Sequence, residues 1–333
     1  MSGDYKFDTL SLHAGHVPDE RHGSRAVPIH QTTSYVFKDT EHAAALYNME
    51  LGGHLYTRIS NPTVAVLEQR IAALEGGVAA TATASGMAAL AVAVMTICSQ
   101  GDHIVASSRM YGANINLLEN TLPRFGIETS FVDPNDLDAI KAAIRPETKL
   151  IFGEVIGNPG LDIMDVEAVG KIAAAAGMPL MLDCTFNTPW LLKPFHLGAN
   201  IIIHSLTKWI GGHGTSIGGA IVESGKFNWD NGKFPGLTEP SKGYHGIRFY
   251  ETFGDFGFIT KARMETLRTL GPTMSPLSAF LFIQGLETLP LRMDRHCSNT
   301  LQVAQHLQAH PAISWVKYAG LEDNPYHALA RKY

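Results

Sequence analysis

The sequence predicts an α/β fold built on a mostly parallel sheet. Short apolar runs with the composition of buried strands recur along the chain, and amphipathic helical patterns lie between them. This alternation favours a parallel sheet whose two faces are covered by helices. The chain has 333 residues, of which 45% are hydrophobic and 17% charged, and this is enough for a large core and two domains.

The chain begins with an irregular stretch that carries little periodicity and ends at Tyr56-Thr57-Arg58. Because a long irregular segment is uncommon in a compact domain and is often functional or wrapped on a partner, we expect residues 1–62 to form an N-terminal arm. Asn61-Pro62 then predicts a helix start, since asparagine caps helices and proline fits their first turn. Glu75-Gly76-Gly77 ends this helix.

A strand is predicted from Ala79, and Ser85-Gly86-Met87 then opens an apolar helix. Ser85 suits the cap position, Gly86 allows a ligand to approach the backbone, and the free amides of a helix start suit a phosphate. A plain helix cap is the alternative. Six more strands are predicted at 103–107, 127–132, 149–155, 180–183, 201–204 and 217–223, with helices at 113–124, 135–144 and 165–176.

The last third of the chain has a different character. Residues 225–255 show no clear period, and a helix is predicted over 258–270, with the end of the large domain in this region. A long helical pattern over 278–310 is expected to break at Pro290, because proline interrupts a helix. Residues 314–318 alternate as a strand does. No closing element follows, so we expect the second domain to be incomplete in this chain.

Charge and cysteine content exclude several classes of protein. The net charge is −5 with no basic run, which argues against a nucleic acid or an anionic membrane as partner. No apolar run reaches the roughly 18 residues of a membrane span, and the first residues show no apolar core of a signal peptide, so we expect neither feature. Cys98, Cys184 and Cys297 lie far apart, which indicates a reducing compartment, and the histidines are scattered, so no metal site is expected. We expect a cytoplasmic protein.

The most informative stretch runs from residue 201 to residue 214. It starts as a buried strand, becomes polar at Ser205, Thr207 and Lys208, and ends in glycines. A lysine just past a buried strand is expected to be partly desolvated, which lowers its pKa and frees the amine to attack a carbonyl. Two hydroxyls beside it suit a phosphate. These features predict a pyridoxal phosphate site, and an ordinary surface lysine is the alternative.

Other polar residues also fall at strand ends, where α/β sheets bind their ligands. Asp183 ends an apolar strand, and a carboxylate there would keep the ring nitrogen of pyridoxal phosphate protonated. Tyr111 offers an aromatic face for the ring and a hydroxyl for proton transfer. Asn158-Pro159 follows a third strand. Taken singly, Asp183 suits a cap and Tyr111 a surface loop equally well.

Several short motifs occur in the order in which one enzyme family carries them. They are Tyr56-x-Arg58, Ser85-Gly86-Met87, Tyr111-Gly112, Asn158-Pro159, Asp183-x-Thr185 and Ser205-x-Thr207-Lys208. On these motifs the chain resembles the Cys/Met-metabolism family of pyridoxal phosphate enzymes through nearly its whole length. Ser60-Asn61-Pro62-Thr63 and the segment from Thr207 to Thr215 look like the O-acetylhomoserine sulfhydrylase branch of that family.

The resemblance implies a fold and an assembly. The fold is that of the aspartate-aminotransferase-like (type I) pyridoxal phosphate transferases, with a mostly parallel seven-stranded sheet, flanking helices and a smaller C-terminal α+β domain. The large domain would cover residues 63–262 and the small domain would start in 263–333. The assembly would be a homotetramer of dimers that share active sites, with the arm against a neighbouring subunit.

The resemblance also implies residue roles and a reaction. Lys208 would hold the cofactor as an imine and move protons, Asp183 would pair with the ring nitrogen, Tyr111 would stack on the ring, and Asn158 would lie near its phenolic oxygen. The phosphate would be bound by Ser85, Gly86, Met87, Ser205 and Thr207, with Tyr56 and Arg58 of a neighbouring subunit. The reaction would be a γ-replacement, in which sulfide displaces acetate from O-acetylhomoserine to give homocysteine.

Three alternatives remain open from sequence. A cystathionine γ-synthase or γ-lyase of the same family would share most of these motifs. A dinucleotide-binding dehydrogenase is suggested by Gly212-x-Gly214 with Gly218. A catalytically inactive scaffold is the third, because no arginine in this chain can be assigned to the substrate carboxylate. Cys184 stands where the family more often has asparagine, and we expect it to be a small buried filler.

Overall fold

The computed structural model describes residues 5–333, and the chain forms two compact units. The first unit takes the chain up to Ile97 together with Ile203–Glu287, and the second takes Cys98–Ile202 with Thr288–Tyr333. The strands are β1 (Ala79–Thr83), β2 (His103–Ser107), β3 (Glu128–Val132), β4 (Thr148–Glu154), β5 (Leu180–Asp183), β6 (Ile201–Ser205) and β7 (Gly219–Glu223).

The seven strands form a sheet in the order β1-β7-β6-β5-β4-β2-β3. Parallel pairs join β2 to β3 and to β4, and β4 to β5, whereas β1 pairs with β7 antiparallel. Strands β2, β6 and β7 are almost wholly buried, as expected for a sheet with helices on both faces. The α/β class and the mostly parallel seven-stranded sheet are therefore confirmed.

Helices flank the strands in chain order. They are α1 (Phe7–His13), α2 (Thr40–Tyr47), α3 (Pro62–Glu75), α4 (Gly86–Ile97), α5 (Gly112–Asn116), α6 (Leu137–Ala143), α7 (Val166–Ala175), α8 (Thr188–Leu191), α9 (Pro235–Thr238), α10 (Phe249–Phe253), α11 (Gly257–Lys261), α12 (Arg268–Leu270), α13 (Pro276–Glu287), α14 (Leu289–Gln308) and α15 (His327–Lys332). No helix within residues 5–333 is long and apolar enough to cross a membrane.

Two of the predicted helices contain wider turns that the sequence did not predict. The helix predicted over 113–124 starts as α5 and continues as a π-helix at Leu117–Thr121 and a 3-10 helix at Leu122–Phe125. The helix predicted over 258–270 passes through a π-helix at Ala262–Leu267 between α11 and α12. Such segments often lie at functional sites.

Helix α3 shows how local sequence sets the elements of the first unit. The side chain of Asn61 caps it by accepting a hydrogen bond from the Thr63 backbone N–H, and Pro62 occupies its first turn. Gly76 ends it in the left-handed conformation that suits glycine. Leu67 and Ile71 are fully buried and form the side of the helix that packs into the core.

Of two predictions near the C-terminus, the helix break is confirmed and the strand is wrong. The long helix breaks at Thr288, two residues before Pro290, because proline fits the first turn of α14 and cannot continue α13. The strand predicted over 314–318 is wrong, because this segment pairs with no strand among the described residues. Its alternation buries no apolar face, and Trp315 is 77% exposed.

Candidate active site

The first unit holds a cradle between the start of α4 and the end of β6. The Ser85 hydroxyl accepts a hydrogen bond from the Ala88 N–H at 3.1 Å, so the predicted cap is confirmed. A Cβ added at Gly86 would lie 2.6 Å from the Ser205 Cβ and 2.9 Å from its Cα. Only glycine therefore lets the first amides of α4, at Gly86 and Met87, lie against Ser205.

Thr207 and Lys208 follow β6 in a turn. The Thr207 hydroxyl accepts a hydrogen bond from Gly218 N at 3.1 Å and donates to Gly218 O at 3.3 Å, so it fixes this turn to the residue before β7. The Lys208 side chain is exposed. The partial burial expected of Lys208 is therefore wrong for this chain, because the lysine stands three residues beyond the end of the strand, outside the sheet.

Tyr56 and Arg58 lie on an exposed loop of the same unit. The Arg58 guanidinium stacks over the Tyr56 ring at 5.3 Å and donates to the Arg268 carbonyl oxygen at 2.5 Å. The Thr273 hydroxyl holds the loop by donating to the Arg58 carbonyl oxygen at 2.8 Å. All these residues except Arg268 line a cavity of about 470 Å³. An arginine held in this way can grip a phosphate with two parallel hydrogen bonds.

The second unit brings together Tyr111 and Asp183, two residues predicted to face the cofactor ring. Tyr111 immediately precedes α5, and its side chain is 48% exposed. Asp183 ends β5, where its Oδ1 accepts a hydrogen bond from Thr185 N at 2.9 Å and its Oδ2 accepts one from Asn114 Nδ2 at 3.3 Å. The carboxylate is therefore oriented from both sides.

Sequence reasoning missed Glu154 and Asn114. Glu154 ends β4 in register with Asp183 on β5 and is 6% exposed, while Asn114 lies in α5 and is 2% exposed. Burial, together with the nearby charge of Asp183, raises the pKa of Glu154 to about 8. The sequence did contain a sign of Glu154, which is a charged residue inside the apolar run over 149–155. Charged side chains are seldom fully buried unless they are paired.

Asn158 also belongs to this group. Its backbone N–H donates to Glu154 Oε2 at 3.2 Å, its side chain is exposed, and it precedes Pro159 through a cis peptide bond. Gly157 lets this loop pack closely, because a Cβ added there would lie 2.8 Å from the Arg109 carbonyl oxygen. The loops that carry Tyr111 and Asn158 are therefore in contact.

Two further expectations concern cysteine and metal. Cys184 is fully buried, as expected of a small core residue beside Asp183. Within residues 5–333 no three His, Cys, Asp or Glu side chains form a group that could hold a metal ion.

These residues fit pyridoxal phosphate. The Gly86 cradle offers amides and hydroxyls for a phosphate, Lys208 offers an amine, and Asp183 and Tyr111 offer a carboxylate and an aromatic ring. The fold and these groups define a pyridoxal phosphate enzyme of the α/β type. Residues 8–333 match the family described as Cys/Met metabolism PLP-dependent enzyme, and the chain belongs to that family.

Two curated relatives show which members of the family this chain is similar to. The chain is 51% identical to O-acetyl-L-homoserine sulfhydrylase of Leptospira meyeri, in an alignment that covers 100% of this chain and 77% of the relative. It is 49% identical to homocysteine synthase of Schizosaccharomyces pombe, over 98% of this chain and 77% of the relative.

A solved structure agrees with these relatives. The crystal structure of a Campylobacter jejuni protein named as an O-acetylhomoserine (thiol)-lyase superposes with a TM-score of 0.96 at 38% identity. The match covers 99% of this chain and 82% of that one, and that protein holds N'-pyridoxyl-lysine-5'-monophosphate.

Proposed function

We propose that this protein is a pyridoxal phosphate-dependent transferase that converts O-acetyl-L-homoserine and sulfide to L-homocysteine and acetate. The observation that carries this assignment is the 51% identity to an O-acetyl-L-homoserine sulfhydrylase along the whole of this chain. The match of residues 8–333 to the Cys/Met metabolism family supports the cofactor independently.

One group of residues would hold the cofactor's phosphate and its covalent bond. Lys208 would supply the amine that bonds to the cofactor, and the same amine would carry protons at the substrate's Cα and Cβ. The phosphate would be bound by hydroxyls and backbone amides of Ser85, Gly86, Met87, Ser205 and Thr207. The fit of Gly86 against Ser205 supports this role, since a phosphate needs close access to free amides.

A second group of residues would hold the ring. When bound, pyridoxal phosphate supplies a sink for the electrons released as substrate protons leave. Asp183 would accept a hydrogen bond from the ring nitrogen, Tyr111 would stack on the ring and aid proton transfer, and Asn158 would lie near the phenolic oxygen. Two donors from this chain, Thr185 and Asn114, orient the Asp183 carboxylate, which supports this role.

The overall exchange takes place at Cγ of O-acetylhomoserine. The bond from Cγ to the acetyl oxygen breaks and acetate leaves with the electron pair, while the sulfur of hydrosulfide forms a new bond to Cγ. No oxidant or reductant is needed. Lys208 would accept each proton as the neutral amine and return it as the ammonium ion.

The sulfur acceptor tests this function directly. Purified protein with O-acetylhomoserine should form homocysteine from sulfide much faster than it forms cystathionine from cysteine. Both products can be quantified by mass spectrometry under the same conditions. A clear preference for cysteine would contradict the proposal and favour a cystathionine γ-synthase, and cleavage of cystathionine would favour a γ-lyase.

We further propose that residues 1–62 form an arm against a neighbouring subunit, ahead of a large domain over 63–262 and a small domain beginning at 263. Tyr56 and Arg58 would then bind the phosphate of that neighbour, in a homotetramer built from dimers with shared sites. Their exposed positions on this chain support the proposal. A cytoplasmic location is also proposed, since three cysteines that lie far apart in the sequence suit a reducing compartment.

Mixed oligomers test the shared site. Arg58→Ala and Lys208→Ala proteins should each be inactive or nearly so, because each lacks one part of every site. After the two are mixed, dissociated and reassembled, about a quarter of wild-type activity should return, since half of randomly formed dimers are mixed and each has one intact site. No recovery in oligomers verified to be mixed would contradict the shared site.

A further inference from the structure

Glu154 makes an unusual set of contacts for a buried carboxylate. Its Oε1 accepts hydrogen bonds from Tyr111 N at 2.7 Å and Asn114 Nδ2 at 3.0 Å, and its Oε2 accepts one from Asn158 N at 3.2 Å. Burying a carboxylate is costly unless hydrogen bonds compensate it. The donors Tyr111 and Asn158 are 47 positions apart along the chain, so Glu154 joins two loops that are distant in sequence.

Asn114 extends these contacts to Asp183. The same Nδ2 atom that donates to Glu154 also donates to Asp183 Oδ2 at 3.3 Å, and an amide group has two hydrogens to give. Asn114 thus lies between two carboxylates that end neighbouring parallel strands. Its orientation is set by Glu154 on one side and sets that of Asp183 on the other.

We propose that Glu154 is a positioning residue for the cofactor ring. It fixes the backbone of Tyr111 and Asn158 directly, and it fixes Asp183 through Asn114. This inference rests on the proposed function, because it takes Tyr111, Asn158 and Asp183 as the residues that face the ring. Glu154 itself needs no contact with the substrate for this role.

A purely structural role is the competing explanation, and Glu223 provides the matched control. It is also a carboxylate at a strand end, is 2% exposed, and accepts hydrogen bonds from Trp229 Nε1 at 3.2 Å and Ile259 N at 2.8 Å. Burial raises its pKa to about 8 as well. Neither of these partners is assigned to the cofactor, so its loss should affect folding alone.

The test compares Glu154→Gln with Glu223→Gln in the holoenzyme. Glutamine keeps the size of glutamate and can keep the bonds from Tyr111 N and Asn114 to its remaining oxygen. Its NH₂ group would then face the Asn158 N–H, donor against donor. Three quantities are measured in each variant: the dissociation constant of pyridoxal phosphate, the visible circular dichroism of the bound cofactor, and the thermal midpoint.

Glu154→Gln should weaken pyridoxal phosphate binding about tenfold, as expected for one buried group left without its partner, and should change the visible dichroism. Glu223→Gln should lower the thermal midpoint and leave both cofactor properties unchanged. Asn114→Ala should act in the same direction as Glu154→Gln, because it removes the link from Glu154 to Asp183.

Each outcome decides between the explanations. If Glu154→Gln binds and orients the cofactor as Glu223→Gln does, the positioning role is wrong. If Glu154→Gln does not fold, Asn114→Ala makes the same decision, because it removes the link to Asp183 and leaves Glu154 its two backbone donors. A wild-type protein without a visible cofactor band would overturn the proposed function and this role together.

Discussion

The two sets of residues proposed to bind the cofactor, called here the phosphate side and the ring side, are built in different ways. The phosphate side uses groups that are close in sequence: Ser85, Gly86 and Met87 form one tripeptide, and Ser205, Thr207 and Lys208 lie within four residues. The ring side depends on Glu154 and Asn114, which are 40 residues apart and join Tyr111, Asn158 and Asp183 by hydrogen bonds. One side is made of backbone geometry and the other of buried side-chain polarity.

This difference determines how each side tolerates change. Backbone amides at a helix start are present in any sequence that folds, so the phosphate side fails mainly when something fills the space over them. A buried network of side chains fails when a single donor or acceptor changes, because its partners are then left unsatisfied. The two sides should therefore respond to different substitutions.

The largest effect is expected from filling the phosphate cradle. In Gly86→Ala the new methyl group would lie 2.6 Å from the Ser205 Cβ, so α4 or the end of β6 must move. We expect the dissociation constant of pyridoxal phosphate to rise about 10- to 100-fold, the range that overpacking of this kind costs. Equilibrium dialysis with absorbance detection measures the change.

Gly236→Ala is the control for that substitution. The nearest atom to its added Cβ would be the Lys261 Cε at 3.7 Å, an ordinary contact, so cofactor affinity should stay close to that of the wild type. Equal losses in the two variants would show that the cradle has no special need for glycine. A loss in Gly86→Ala no larger than that in Glu154→Gln would mean that the two sides are equally sensitive.

A smaller effect is expected on the pH dependence of stability, to which the buried carboxyl groups of Glu223 and Glu154 contribute. Burial raises the pKa of Glu223 from 4.5 to about 8, so between these values the folded protein keeps a proton that the unfolded chain has lost. The free energy of unfolding must then fall as the pH rises through this window, by up to about 1.4 kcal/mol per pH unit. Glu154 contributes a slope of the same sign.

Glu223→Gln should remove its part of that slope. Denaturant titrations of the holoenzyme at several pH values between about 5 and about 8 would measure the dependence in the variant and the wild type. We expect a shallower decline in the variant and an unchanged cofactor spectrum. An identical slope would mean that Glu223 is ionised throughout this range in the folded protein.

Much of the fold could be predicted from sequence, for physical reasons. Apolar runs between capping residues fix strands and helices locally, which is why Asn61, Ser85 and the strand at 180–183 were placed correctly. The segment 314–318 failed because alternation indicates a strand only when a neighbouring strand pairs with it. Its partner, or the lack of one, is a property of the whole fold.

The site was predictable to a lesser extent. The phosphate side could be proposed from sequence because its residues form contiguous motifs, whereas the contacts of Glu154 and Asn114 exist only when β4, β5 and α5 come together. The exposure of Lys208 was also beyond a local prediction, because it depends on where the turn after β6 leaves the sheet.

The most direct test of the account is the identity of the lysine that carries the cofactor. Holoenzyme treated with borohydride, digested and mapped by mass spectrometry should show a pyridoxyl group on Lys208. The Lys208→Ala protein, which keeps the phosphate cradle, should show none under the same treatment. A pyridoxyl group on another lysine of the wild type, or an equal yield in Lys208→Ala, would contradict the account.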